Sequence, residues 1–312
     1  MRDTTLLLIG TGAVGSLYGG KLSQAGISVS AVCRSDYDVV KQRGIKVKSI
    51  LGDFQFHPRN LYHSPLESSE KYDYVLVALK VLPEIDLPAL LRHVVGPNTV
   101  IVLLQNGVAI EEAVFSAFPE NEIISGLAFV CVNRTAPGEI DHLDYGRVVI
   151  GNYPRGVSEK TKFLADAFKK AGVDCRSTET VIQSRWQKLV WNAPFNPMSV
   201  LGGGVNTKEI LEDPENIGVV KGIMQEVCRL AEAEGFPLPE GIVEQNIENT
   251  LVMKPYKTSM LLDFESRRPL ETEAILGNAV RIAKKHSISV PRMECLYALL
   301  KMADRKNLLG IK

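Results

Sequence analysis

The run Leu6-Leu7-Leu8-Ile9 ends abruptly in Gly10-Thr11-Gly12-Ala13-Val14-Gly15, and a helical pattern takes over from there. A short apolar strand closed by glycines spaced G-x-G-x-x-G and followed by a helix is the entry to a dinucleotide-binding βαβ unit. Gly10 allows the tight turn, Gly12 lets bare backbone approach a pyrophosphate, and Gly15 lets helix and strand pack closely. Thr11, Ala13 and Val14 complete the turn, and the helix's unpaired amides face the anion. A glycine-rich turn can be merely a turn, but this one directly follows the first predicted strand, which is the context the fingerprint requires.

The rest of the first half continues the alternation. Apolar, β-branched runs at 29–33, 74–79, 100–104, 123–131 and 147–150 read as strands, and the stretches 14–24 and 110–117 between them read as helices. Strands alternating with helices imply a mostly parallel, doubly wound Rossmann-type sheet whose ligand face lies at the strands' carboxyl ends. Residues 45–50 and 53–57 predict a small hairpin around Leu51-Gly52, and 129–150 predicts an antiparallel meander. After about Arg176 long amphipathic helical patterns replace strands, and only 9 of the 25 glycines fall there. Asp213-Pro214 starts one helix and Gly235 stops it, while 181–200, 271–286 and 292–306 supply others. The 312 residues exceed the about 100–200 of one domain, so the expected architecture is α/β: a Rossmann domain over 1–177 and an all-α domain over 178–312.

Lys and Arg number 36, as do Asp and Glu, so no bulk positive field exists to collect nucleic acid or an anionic membrane. The longest apolar runs fall far short of the roughly 20 residues that cross a bilayer, and the run at 6–9 is too short for a signal peptide, so a cytoplasmic location is expected. Cys33, Cys131, Cys175, Cys228 and Cys295 are scattered, with no C-x-x-C spacing, and read as reduced packing residues with no zinc or other metal site.

Where an NAD-selective site places an acid at the end of the second strand, about 20 residues on, this chain has Arg34-Ser35. A guanidinium there suits a 2′-phosphate and favours NADP; the blander alternative is a solvated arginine paired with Asp36. Lys80 and Gln105-Asn106-Gly107 end two further strands on the same carboxyl edge. In the helical half Lys188, Asn192 and Asn196 fall at i, i+4 and i+8 between Trp186, Leu189, Val190 and Phe195. That places an ammonium and two amides on one stripe of an otherwise apolar helix, which Pro194 should kink. A last cluster holds Thr258, Ser259, Met260, Asp263 and Glu271. Ser259 can be read as a helix cap and Glu271 as a first-turn acid, and spacing does not bring either to Lys188.

With the glycine turn, the Leu79-Lys80 and Gln105-Asn106-Gly107 strand ends, the Lys188/Asn192/Asn196 helix, and Ser259-Met260 followed by Glu271, the chain resembles the ketopantoate reductase (2-dehydropantoate 2-reductase) family over essentially its full length. The resemblance implies a Rossmann domain followed by a helical domain similar to the carboxyl-terminal part of 6-phosphogluconate dehydrogenase, with NADPH and substrate held in the cleft between them. It puts Lys188 in the place of the general acid and Glu271 in that of its acidic partner. Asn192, Asn196 and Ser259 match substrate-binding residues, and Asn106 the strand-end asparagine near the reacting carbonyl. Lys80 matches a cleft lysine near the cofactor, and Arg34 the 2′-phosphate reader. Thr258 departs from members with a second serine, a difference that bears on packing more than on chemistry.

The implied reaction is NADPH-dependent reduction of 2-dehydropantoate to pantoate, on the route to pantothenate and coenzyme A. Hydride reaches C2 and Lys188 protonates the oxygen. Apolar neighbours lower an ammonium's pKa and a nearby Glu271 raises it. Two alternatives stand beside this reading: reduction of another branched or hydroxylated 2-oxo acid, and a noncatalytic NADPH-binding regulator. The resemblance also suggests a homodimer through exposed helices of the second domain.

Overall fold

The computed structural model describes residues 3–310. The chain divides into two units. One comprises Met1–Lys80, Ile85–Gln105 and Glu111–Val181, and the other Val81–Glu84, Asn106–Ile110 and Ile182–Lys312.

The first unit is built on one sheet of ten strands: β1 (Thr5–Ile9), β2 (Ser28–Val32), β3 (Ile45–Ser49), β4 (Phe54–Phe56), β5 (Leu61–Tyr62), β6 (Tyr74–Val77), β7 (Val100–Leu104), β8 (Ile123–Ala136), β9 (Glu139–Asn152) and β10 (Cys175–Ser177). Their order is β4-β3-β9-β8-β7-β6-β1-β2-β5, with β10 beside β9. Parallel pairing joins β2, β1, β6, β7 and β8. The long β8–β9 hairpin is antiparallel and carries three irregularities, which bend and twist a strand pair. The hairpin predicted at 45–57 is the antiparallel pair β3–β4, and the meander predicted at 129–150 is part of β8–β9.

Alternate residues of β1 face opposite cores. Leu6 and Leu8 pack with helix α1 (Ala13–Gln24) and α5 (Glu159–Lys170). Leu7 and Ile9 join a second cluster with Leu91 of α3 (Leu87–Leu91) and Val114 of α4 (Glu112–Ala117). A sheet covered on both faces explains why its strands read as unbroken apolar runs, each fully buried Leu or Ile contributing about 1.5–3 kcal/mol. The curled sheet wraps α1: Gly19 lies against Leu8 of β1, Gly20 against Phe54 and Phe56 of β4, and the Tyr18 hydroxyl donates to the Gly146 carbonyl of β9 at 3.2 Å. The short α2 (Tyr37–Arg43) follows β2.

The second unit is helical: α6 (Val181–Leu201), α7 (Thr207–Ile210), α8 (Pro214–Ala233), α9 (Ile242–Val252), α10 (Ser259–Glu265), a π-helical turn (Glu273–Gly277) running into α11 (Asn278–Lys285), and α12 (Pro291–Leu308). Asp213 caps α8 by accepting from the amides of Glu215 and Asn216, with Pro214 at the first position, as its dipeptide predicts. On α6, Trp186, Leu189, Val190, Ala193 and Phe195 are buried in one apolar cluster with residues of α8 and α11, and the helix continues through Pro194 and Pro197. Each interior proline removes a backbone bond and costs about 3 kcal/mol. No helix among the described residues is long and apolar enough to cross a membrane.

Candidate active site

In the first unit the parallel strands β1, β2, β6 and β7 end on one edge, and the residues singled out there lie just past those ends. Gly10 has φ +105°, and a Cβ on it would stand 2.9 Å from the Leu79 amide nitrogen. A Cβ on Gly15 would stand 1.9 Å from the Gly10 carbonyl oxygen, so neither position admits a side chain without displacing backbone. Gly12 differs. Its φ of −71° suits any residue, and a Cβ there would meet no atom within 4 Å. Only the space in front of the turn depends on this glycine being bare. Gly12 is also the N-cap of α1, with no side-chain cap and no acid in the first turn, so the first-turn amides are available to an anion. Thr11, Ala13 and Val14 are partly exposed around it. This arrangement fits a dinucleotide's pyrophosphate.

Arg34 and Ser35 follow β2 and are exposed. Asp36 is not the partner of Arg34: it is buried and ion-paired with Arg134 at 2.8 Å. Arg34 itself makes no ion pair or side-chain hydrogen bond among the described residues. β6 ends at Val77, short of the run at 74–79, although the Ala78 amide still bonds the Ile9 carbonyl at 2.9 Å. Lys80 is partly buried beyond it. The Gln105 amide donates to the Leu79 carbonyl at 2.7 Å, tying the ends of β6 and β7 together.

In the second unit three of the residues singled out from sequence meet. The Lys188 ammonium donates to Asn106 Oδ1 at 2.8 Å, and Asn106 Nδ2 donates to Glu271 Oε2 at 3.3 Å. The other carboxylate oxygen of Glu271 accepts the Val81 amide at 3.1 Å. The asparagine therefore bridges a cation and an anion, its oxygen toward the first and its NH₂ toward the second, the orientation that satisfies both. Burial and the Arg185 guanidinium push the Lys188 pKa down from 10.5 to about 8, while Glu271 pulls it up. An ammonium of that acidity can give a proton to a developing alkoxide near neutral pH.

Backbone geometry fixes Asn106. Gly107 has φ +101°, and a Cβ there would stand 2.6 Å from the Ala274 carbonyl oxygen. The Val108 amide donates to that same carbonyl at 3.3 Å, and Asn278 Nδ2 donates to the Val108 carbonyl at 2.7 Å. The π-helical turn that contains Ala274 is a geometry frequent at functional sites. Arg185, buried one turn before Lys188 on α6, donates to the Gly107 carbonyl at 3.1 Å. Sequence reasoning missed Arg185, the Val81 amide and the seating of residues 106–108. An arginine at i−3 from Lys188 on an apolar helix was the one available signal.

Asn192 and Asn196 lie one and two turns beyond Lys188 and are 7% and 4% exposed. Asn196 Oδ1 is buried without a hydrogen-bond partner among the described residues, a condition that costs about 1–3 kcal/mol unless something polar meets it. The stripe is therefore no solvent face. The cap of α10 is Thr258, whose hydroxyl oxygen accepts from the Leu261 amide at 3.2 Å, and not Ser259. Thr258 also bonds Ser199 at 2.6 Å, while Ser259 stays exposed on the first turn. The reason is backbone conformation: Thr258 is extended, so its side chain can reach back to the first-turn amides, whereas Ser259 is already helical.

Two family descriptions match the sequence: Ketopantoate reductase PanE/ApbA over residues 6–155 and Ketopantoate reductase PanE/ApbA C terminal over residues 180–304. A 2-dehydropantoate 2-reductase of Nostoc sp. is 36% identical across 99% of this chain and 98% of its own length. The crystal structure of 2-dehydropantoate 2-reductase from Methylococcus capsulatus is 52% identical, covers 97% of both chains and superposes with a TM-score of 0.91. That from Geobacter metallireducens is 38% identical over 96% of this chain and 99% of its own, with a TM-score of 0.89. The sheet, the helical unit and these likenesses agree: the chain belongs to the ketopantoate reductase family of oxidoreductases.

Proposed function

We propose that this protein reduces 2-dehydropantoate to pantoate with NADPH, the step that feeds pantothenate and coenzyme A synthesis, and that Lys188 is its general acid. The observation that carries the proposal is the bonded series Lys188–Asn106–Glu271, with an ammonium whose pKa has fallen to about 8. A noncatalytic nucleotide sensor has no use for such a group.

The glycine turn and the first amides of α1 hold the pyrophosphate, and Arg34 meets the 2′-phosphate. Lys80 lies on the same strand edge and adds positive charge there. The bound cofactor supplies the hydride that C2 of the 2-oxo acid receives. Lys188 exchanges its bond to Asn106 for one to the ketone oxygen, holds the charge that grows on that oxygen, and delivers a proton to it. Asn106, anchored by Glu271 and by the seating of Gly107, keeps the ammonium within reach. The amides of Asn192 and Asn196 bond the substrate hydroxyl, which gives the orphaned Asn196 Oδ1 its donor. Ser259 donates to the carboxylate.

The test is NADPH oxidation followed at 2-dehydropantoate and at a panel of other 2-oxo acids, repeated with NADH. The highest kcat/KM is expected for 2-dehydropantoate with NADPH. A better substrate elsewhere in the panel moves the proposal to that acid, and flat traces throughout, with NADPH still bound, leave a binding protein.

A further inference from the structure

Beyond the strand-end arginine, the first unit carries a second guanidinium at the same corner. Arg134 lies near the end of β8, and its Nη1 donates both to Asp36 Oδ1 at 2.8 Å and to Ser35 Oγ at 3.0 Å. The Ser35 hydroxyl in turn donates to Asp36 Oδ1 at 2.8 Å. The other oxygen of Asp36 accepts the Gly138 amide at 3.0 Å, at the tip of the β8–β9 hairpin. That tip is fastened again, by the Lys46 amide donating to the Gly138 carbonyl at 2.9 Å and by Arg43 Nη2 donating to the Pro137 carbonyl at 3.2 Å. A hairpin distant in sequence is thus locked onto the turn that follows β2, and buried Asp36 is the bolt.

The lock has a chemical result. Asp36 is the acid nearest to Arg34 in sequence, and its oxygens are committed to Arg134, Ser35 and Gly138, so its charge does not neutralise Arg34. Arg134 keeps about a third of its side chain exposed while Asp36 is 95% covered. The corner therefore presents to solvent Arg34, the Ser35 hydroxyl and the outer part of Arg134, with the compensating carboxylate behind them. Two guanidinium groups and a hydroxyl that can turn its one proton away from Asp36 suit a phosphate monoester, which offers three acceptor oxygens.

We infer that Arg134 is a second determinant of specificity for a 2′-phosphorylated adenosine, acting with Arg34 and through Ser35. The inference rests on the NADP reading and adds to it a residue a hundred positions away. Because Arg134 both touches Ser35 and holds its loop, removal affects the phosphate-bearing nucleotide far more than its unphosphorylated counterpart.

The experiment is calorimetric titration of the full chain with adenosine 2′,5′-bisphosphate and with 5′-AMP, for the wild type, Arg34→Ala, Arg134→Met and Arg134→Lys. The wild type is expected to prefer the bisphosphate. Arg134→Met should lower affinity for the bisphosphate about tenfold, one charge-assisted contact's worth, and change that for 5′-AMP less than about twofold. Arg134→Lys, which keeps the charge without the fork and loses less packing, should fall between. Equal losses for both ligands in the Met and Lys variants would reduce Arg134 to a structural brace. An unchanged ratio in both, with Arg34→Ala selective, would overturn the inference while leaving the NADP reading intact. A wild type that binds both ligands alike would overturn both.

Discussion

The glycine turn of the first unit and the α6 stripe of the second solve opposite problems. The turn makes a site by removing side chains: at Gly10 and Gly15 backbone occupies the space a Cβ would need, and at Gly12 that space stays open. The stripe makes a site by inserting polar side chains where the surroundings are apolar, so that Lys188 is acidified and Asn196 is left with an unmet oxygen. A site of bare backbone depends on the space kept in front of it and has little to titrate. A site of buried side chains gains reactivity from its surroundings and inherits their pH dependence.

That contrast breaks most sharply at Lys188. Lys188→Ala should lower kcat by about 10²–10⁴-fold, the usual contribution of a general acid, while NADPH affinity measured by fluorescence titration stays within a few-fold. Turnover near wild type would mean that the proton comes from elsewhere. The pH profile sharpens the same side. In the proposed role the acid form of Lys188 is the active one, so kcat/KM should hold below about pH 8 and fall about tenfold per unit above it. An ordinary lysine would place that break near 10.5. Glu271→Gln removes the anion that raises the pKa, so its break should move to lower pH; a break that moves up would contradict the assigned electrostatics.

The turn offers the complementary test. Gly12→Ala should leave the melting temperature unchanged, because its φ is ordinary and its Cβ meets nothing, yet weaken NADPH binding about tenfold by standing where the pyrophosphate approaches. Gly15→Ala, whose Cβ would meet the Gly10 carbonyl at 1.9 Å, should instead lower stability by roughly 1–3 kcal/mol. If the two variants behave alike, the turn is a packing device and the distinction fails.

The two sites were also unequally legible. Glycine spacing after a strand carries its geometry with it, so the turn and the parallel strands around it could be read from residues alone. The stripe on α6 was visible as a spacing of four. Its partners were not, because Asn106 and Glu271 reach Lys188 only through chain segments 82 and 83 residues distant. The family resemblance named them, whereas the residues that seat them, Gly107, Arg185 and the π-helical turn, emerge only from tertiary packing. The cap of α10 was misassigned by one residue because Thr258 and Ser259 are both capping types, and backbone conformation chooses between them. The lock of Arg134 on Asp36 was invisible for a related reason: sequence proximity suggested Arg34 as the partner, and the β8–β9 hairpin supplied another.

In the proposed mechanism Lys188 hands a proton to the reacting oxygen. A crystal structure of the protein with NADP⁺ and pantoate would show whether it is placed to do so. Lys188 Nζ is expected within about 3.2 Å of the pantoate C2 oxygen, its bond to Asn106 lengthened or exchanged. An ammonium still bound to Asn106, with no path to that oxygen even through one water, would contradict it.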